Sequence, residues 1–188
     1  MGRWEGDAEG RLRAAAMALF VERGYEQTTV ADIAERAGLT ARTFFRYFAD
    51  KPEVLFNGAG RLQQRMVEAL DQSPAHATAL QAVAAALFAT AEFFGDQREF
   101  ARQRRAVIEA NAELRERELH KLAALSGALA DALRKRGFGA VDAQLAAEMG
   151  IAVFRVSFGL WVEDGEARDF NDIVRDSLAS LATLVGRT

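Results

Sequence analysis

Two capped helix starts, eleven residues apart, constrain this chain more than any other feature. Thr29-Val30-Ala31-Asp32 has the form of a capping box, in which a hydroxyl and a carboxylate each satisfy a free backbone N–H. Val30, Ile33, Ala34 and Ala37 then recur at helical spacing, and Gly38 stops the helix after about two turns. Leu39 fills the corner. Thr40 caps the next helix, Ala41 to Phe48. Upstream, Leu12, Ala15, Ala16, Leu19 and Phe20 form one stripe on a helix from Arg11 to Arg23, closed by Gly24. A helix, a short glycine turn and a second helix make a helix-turn-helix pattern.

The remainder also reads as helix. Asp50 caps a fourth helix, with Pro52 tolerated in its first turn. It runs to about Asp71 through Leu55, Ala59, Leu62, Met66 and Leu70. Ser73-Pro74 breaks the chain. Further helices are expected over residues 76–95, from a cap at Asp96 to Ala110, from Asn111 to Arg136, from Ala140 to Glu163, and from Asp169 to Val185. The expected fold is all-α: about nine helices and no sheet, with a helix-turn-helix domain over residues 1–50 and a helical regulatory and dimerisation domain over 51–188. Residues 1–9 are polar and glycine-rich and read as an arm.

Composition narrows the function classes. The chain contains no cysteine, so disulfides, thiolate ligands and cysteine nucleophiles are excluded together. The opening residues carry no apolar stretch of the secretory type. The apolar run Met149–Val162 contains Arg155 and is too short for a bilayer, so no membrane partner is expected, and a cytoplasmic location is. The net charge is −3. Residues 1–51 balance eight basic against eight acidic side chains, so any nucleic-acid face must be small and local.

The run Thr-Val-x-x-Ile-Ala-x-x-Ala-Gly-Leu-Thr over residues 29–40 continues as Thr43-Phe44-Phe45-x-Tyr47-Phe48, then Lys51 and Leu55. With Leu19-Phe20 and Gly24-Tyr25 upstream, it resembles the DNA-binding domain of the TetR family of bacterial regulators. That family usually has a tyrosine, with a hydroxyl that touches phosphate, where this chain has Phe45. A softer likeness over Val107–Gly137 is to the regulatory domain of mycofactocin-system regulators, which implies an acyl-CoA-like effector. The resemblance implies a dimeric, ligand-responsive repressor that binds a palindromic operator in double-stranded DNA.

Phe44 and Phe48, at i and i+4, should pack inward, which turns Ala41, Arg42, Phe45 and Arg46 toward a major groove. Arg42 is the candidate for a bidentate contact to guanine, and Arg46 for base or phosphate. Thr43 and Tyr47 can donate to phosphates. Thr29 and Thr40 stand at helix N-termini, where free N–H groups favour phosphate. Lys51 matches the family's phosphate-contacting lysine. A three-helix bundle with a solvated basic face is the plainer alternative.

Met66, Phe88, Phe93, Phe158 and Trp161 are candidates to line an apolar effector pocket, although core packing explains such residues equally well. Arg98, Arg102 and Arg105 share one helix face, with Arg104 beside them. Either they pair with acids such as Glu99 and Glu109, or Arg102 and Arg105 hold the phosphates of a CoA-like ligand. Arg155 should be paired or lie at an interface. The last two helices carry broad apolar faces, with Leu145, Met149, Ala152, Phe154 and Val156, then Ile173, Val174, Leu178, Leu181 and Leu184, and these point to a homodimer. His76 and His120 stand at no metal-ligand spacing; neither a cofactor nor a metal is expected. An enzyme is disfavoured by the isolated histidines and the lack of paired carboxylates. A helical lipid- or acyl-CoA-binding protein with a vestigial DNA module is the competing reading.

Overall fold

The computed structural model describes residues 8–95, 97–163 and 165–186. Among them are ten helices and no strand: α1 (Ala8–Arg23), α2 (Val30–Arg36), α3 (Ala41–Tyr47), α4 (Glu53–Phe56), α5 (Ala59–Asp71), α6 (Ala79–Phe94), α7 (Arg98–Glu109), α8 (Ala112–Lys135), α9 (Ala140–Trp161) and α10 (Phe170–Val185). The expected arm lies mostly in residues 1–7, outside the described part, as does the expected cap Asp96.

The one helix expected over 51–71 is two. Lys51-Pro52 form a turn, α4 is a single turn, and Asn57-Gly58 break the chain before α5. The physical reason is glycine at 58, poor in a helix interior. Asp50 does cap: its Oδ1 accepts the Glu53 N–H at 2.8 Å. Two other expected caps behave differently. Asn111 turns its amide back to the Val107 carbonyl at 2.7 Å, and Asp169 makes no side-chain cap bond. Thr78 with Gln81 forms a full capping box at the start of α6.

The chain divides into two compact units, Met1–Gly58 with Phe100–Glu118, and Ala59–Glu99 with Leu119–Thr188. The core of the first is Leu12, Ala16, Leu19, Phe20 and Tyr25 from α1 and its exit, with Ile33, Phe44, Phe48 and Val54–Phe56. Val107, Ile108 and Leu114, far along the sequence, complete it. Two guanidiniums brace α4 in this unit. Arg104 donates to the Leu55 carbonyl (2.8 Å) and to Glu118 (3.1 Å), and stacks on Phe56. Arg117 bonds Asp50 (2.9 Å) and Glu53 (2.7 Å). Burial holds the Arg104 pKa below its ordinary value, with the Glu118 carboxylate opposing.

In the second unit α5 packs on α6, α6 on α9 and α9 on α10. The α6–α9 approach is close: a Cβ at Gly150 would stand 2.3 Å from the Val83 Cγ1, so only glycine fits. Phe154, Ile173 and Val174, expected among the interface residues, face this core instead and are buried. The outer face keeps Val141, Leu145 and Val156 on α9 and Leu184 and Val185 on α10, each more than half exposed. Arg155 lies exposed on the same helix, so it needs no buried partner. By length and composition α9 is the one described helix that would reach across a bilayer, although much of it is buried in the unit.

Candidate nucleic-acid interface

The turn between α2 and α3 is fixed by backbone bonds. The Leu39 N–H reaches the Ala34 carbonyl at 2.8 Å and the Gly38 N–H the Glu35 carbonyl at 2.9 Å, the pairing of a Schellman stop. Gly38 takes φ +65°, which a side chain would resist. Arg11 of α1 donates to the Ala37 carbonyl and ties the turn to the first helix. An ion pair between Arg36 and Glu22 at 2.6 Å joins α2 to α1, and it lowers the Glu22 pKa through the Arg36 hydrogen bond.

Phe44 and Phe48 are fully buried, with ring centroids 5.1 Å apart. Helical geometry therefore turns Ala41, Arg42, Phe45 and Arg46 outward, and all four are exposed. Thr40, Arg42, Thr43, Phe45 and Arg46 line an open depression. Arg46 is partly organised already: it donates to the Tyr47 hydroxyl at 3.1 Å and lies 5.0 Å from that ring. The Thr40 hydroxyl accepts the Thr43 N–H at 3.2 Å and lies 3.0 Å from the Thr43 hydroxyl.

Two candidates are placed differently from their neighbours. The Thr29 hydroxyl and N–H both donate to Asp32, at 2.7 and 2.8 Å, so a carboxylate stands beside that helix start. These bonds lower the Asp32 pKa. Lys51 is turned inward. Its ammonium donates to the Tyr25 and Thr28 carbonyls at 2.9 and 3.0 Å and sits 4.0 Å from the Tyr25 ring centroid. Sequence spacing located Lys51 but carried no signal for this inward bonding.

The candidate effector residues fall into both units. Phe94, another aromatic of the middle helices, is the hub that gathers three of them. Its ring lies 5.5 Å from Phe93, 5.4 Å from Phe158 and 5.4 Å from Trp161, with Phe170 at 5.3 Å. Met66 on α5 is fully buried, and Phe88 on α6 is half-buried. Arg98 donates to the Glu166 and Arg168 carbonyls and covers Trp161. Arg102 and Arg105 belong to the other unit, the one that carries the recognition helix. Arg105 pairs with Glu109 at 2.6 Å, and Arg102 is exposed. His76 and His120 are both exposed, and among the described residues no cluster suits a metal.

Two helices joined by a short glycine turn, packed on a first helix, have the arrangement of a helix-turn-helix. The family model for bacterial regulatory proteins of the tetR family matches residues 12–57, and that for the MftR C-terminal domain matches residues 77–186. The chain belongs to the TetR family of DNA-binding transcriptional regulators, with a C-terminal domain of the MftR type. Among curated relatives, the HTH-type transcriptional regulator TcmR of Streptomyces glaucescens is 41% identical over 76 residues, 40% of this chain and 34% of that protein. The HTH-type transcriptional repressor KstR2 of Mycobacterium tuberculosis is 44% identical over 46 residues, 24% of this chain and 23% of that one. The matches thus span about a third of the one relative and a quarter of the other. The fatty acid degradation regulator FadR from Bacillus halodurans shares the fold at TM-score 0.66 and 20% identity, over 95% of this chain and 96% of that one. FadR from Bacillus subtilis, solved in complex with stearoyl-CoA, does so at TM-score 0.65 and 22% identity, over 92% and 96%.

Proposed function

We propose that this protein is a cytoplasmic repressor that binds a palindromic operator as a homodimer and is released by an acyl-CoA-like effector. One observation carries the DNA half of the reading: Arg42 and Arg46 stand exposed on a helix whose opposite side is locked by Phe44 and Phe48. Arg42 takes the bidentate contact to guanine, and Arg46, steadied by Tyr47, meets a base or a phosphate. Thr40, Thr43 and Tyr47 supply hydroxyls to the backbone. Lys51 acts first on the protein, since two of its three donors already hold carbonyls.

The dimer half rests on the outer face of α9 and α10. Val141, Leu145, Ala152 and Val156 fall at i, i+4, i+11 and i+15, one stripe on the exposed side of α9. A second copy would cover it and present two recognition helices to half-sites about 34–36 Å apart or a multiple of that. The effector half follows the FadR proteins, one of which was solved with stearoyl-CoA and another, from Thermus thermophilus, with lauroyl-CoA. The aromatic set around Phe94, with Met66 and Phe88, lies within the second unit and supplies apolar lining for an acyl chain.

Release requires the effector to favour an arrangement in which the recognition helices no longer match the groove spacing. A coupling of about 1–3 kcal/mol changes operator affinity roughly 5- to 150-fold. The test is a salt-dependent gel shift on the promoter DNA flanking the gene, repeated with stearoyl-CoA. Binding that weakens with acyl-CoA, and acyl-CoA binding that weakens equally with DNA, is the expected result. DNA binding without any acyl-CoA response overturns the effector; acyl-CoA binding without DNA binding favours the vestigial reading.

A further inference from the structure

Phe45 is 57% exposed, whereas Phe44 beside it and Phe48 just after the helix are fully buried. Its ring stands edge-on to Phe44, centroids 5.5 Å apart and planes at 83°. It lines the depression between Arg42 and Arg46, among hydroxyls and guanidiniums. An apolar ring held in water at the centre of a polar face gains free energy only when something apolar covers it. Phenylalanine has no donor or acceptor, so it cannot bond a phosphate or a base edge. The floor of the major groove offers one apolar group, the C5-methyl of thymine.

We infer that Phe45 is a specificity-determining residue that reads the 5-methyl group of a pyrimidine in each half-site. The inference rests on the DNA-binding reading above. Arg42 precedes Phe45 by three residues, about 4.5 Å along the helix axis. Residues three apart share a helix face, so the methyl-bearing base lies near the guanine that Arg42 contacts. Arg46, on the other side, is engaged with Tyr47 and leaves the Phe45 ring uncovered. The tyrosine usual at this position in the family can bond a phosphate oxygen; here the ring has only its carbon face and edge to offer.

The test starts from duplexes that the full-length protein enriches from a randomised pool. Each thymine in one half-site is replaced in turn by deoxyuridine, which removes the methyl and keeps the pairing. Affinity is read by fluorescence anisotropy at fixed salt. At one thymine the replacement should lower affinity about fourfold, the effect of one buried methyl-sized group. At that position a 5-methylcytosine·guanine pair should bind more tightly than cytosine·guanine. Phe45→Ala, an exposed change that should leave the helical circular dichroism intact, should abolish both differences, and Phe45→Tyr should keep them. If no deoxyuridine replacement matters to the wild type, or if Phe45→Ala keeps the same differences, the inference is overturned while DNA binding stands. Failure to enrich any duplex would overturn DNA binding and this inference together.

Discussion

At residue scale the side chains of the helix-turn-helix segment and its flanks divide by what they already hold. Arg42 is exposed, and Arg42→Ala should cost roughly 1–3 kcal/mol on the selected operator and relax one base position. Unchanged affinity and base preference would remove it from the reading set. Lys51 is the opposite case. Lys51→Ala should lower the stability of the DNA-free protein by about 1–3 kcal/mol, because the Tyr25 and Thr28 carbonyls lose their donor. Urea denaturation without DNA measures this, and an unmoved midpoint would show that the two bonds do not stabilise the fold. Asp32 predicts a pH dependence. Its folded pKa is lowered by the Thr29 bonds, so its contribution is present above the ordinary value of 3.8 and is lost as pH falls through the lower folded value. The stability gap between wild type and Asp32→Ala should be constant at neutral pH and close in acid. The direction of Arg42 and Phe45 was legible because i, i+4 burial of Phe44 and Phe48 fixes the opposite face. That of Lys51 was not, because a long flexible side chain can turn to either side of its own backbone.

At the scale of elements, ends and joints decide what each helix can do. Arg136, in the turn just past the end of α8, donates to the carbonyls of Leu70 (2.6 Å), Asp71 (3.1 Å), Ser73 (3.0 Å) and Pro74 (2.9 Å). One guanidinium thus closes the end of α5 and the turn that follows. Arg136→Ala should destabilise the protein by about 2 kcal/mol, and Arg136→Lys should recover only part, since an ammonium lacks the planar fork. Thermal denaturation of the three proteins checks the order. Helix starts were legible where a hydroxyl and an acid stand at capping spacing, as at Thr29. The Asn57-Gly58 break was legible too in principle, because Gly58 stands in the sequence; the apolar stripe from Leu55 to Leu70 masked it. No local pattern reveals Arg136, whose acceptors lie 62 to 66 residues away.

For the whole molecule, the number of copies and the unity of each unit matter most. Leu145→Glu with Val156→Glu places two charges on the exposed stripe of α9 without touching the core. Sedimentation should show a folded monomer in place of a dimer, with operator affinity reduced at least tenfold. A dimer that survives both charges would move the interface elsewhere. The all-helical class was readable from composition and period, whereas the Phe94 hub was not, since five rings from three segments meet only in the folded chain. The first unit carries a different lesson. Its core is closed by Val107, Ile108 and Leu114, and its α4 is braced by Arg104 and Arg117, all from residues 100–118. The backbone crosses between units three times. A reader head grafted onto a foreign sensor at residue 50 would therefore arrive with its core open; a working chimera must also import the 100–118 segment. Over evolutionary time the same arrangement makes this DNA reader and its regulatory partner a poor candidate for shuffling.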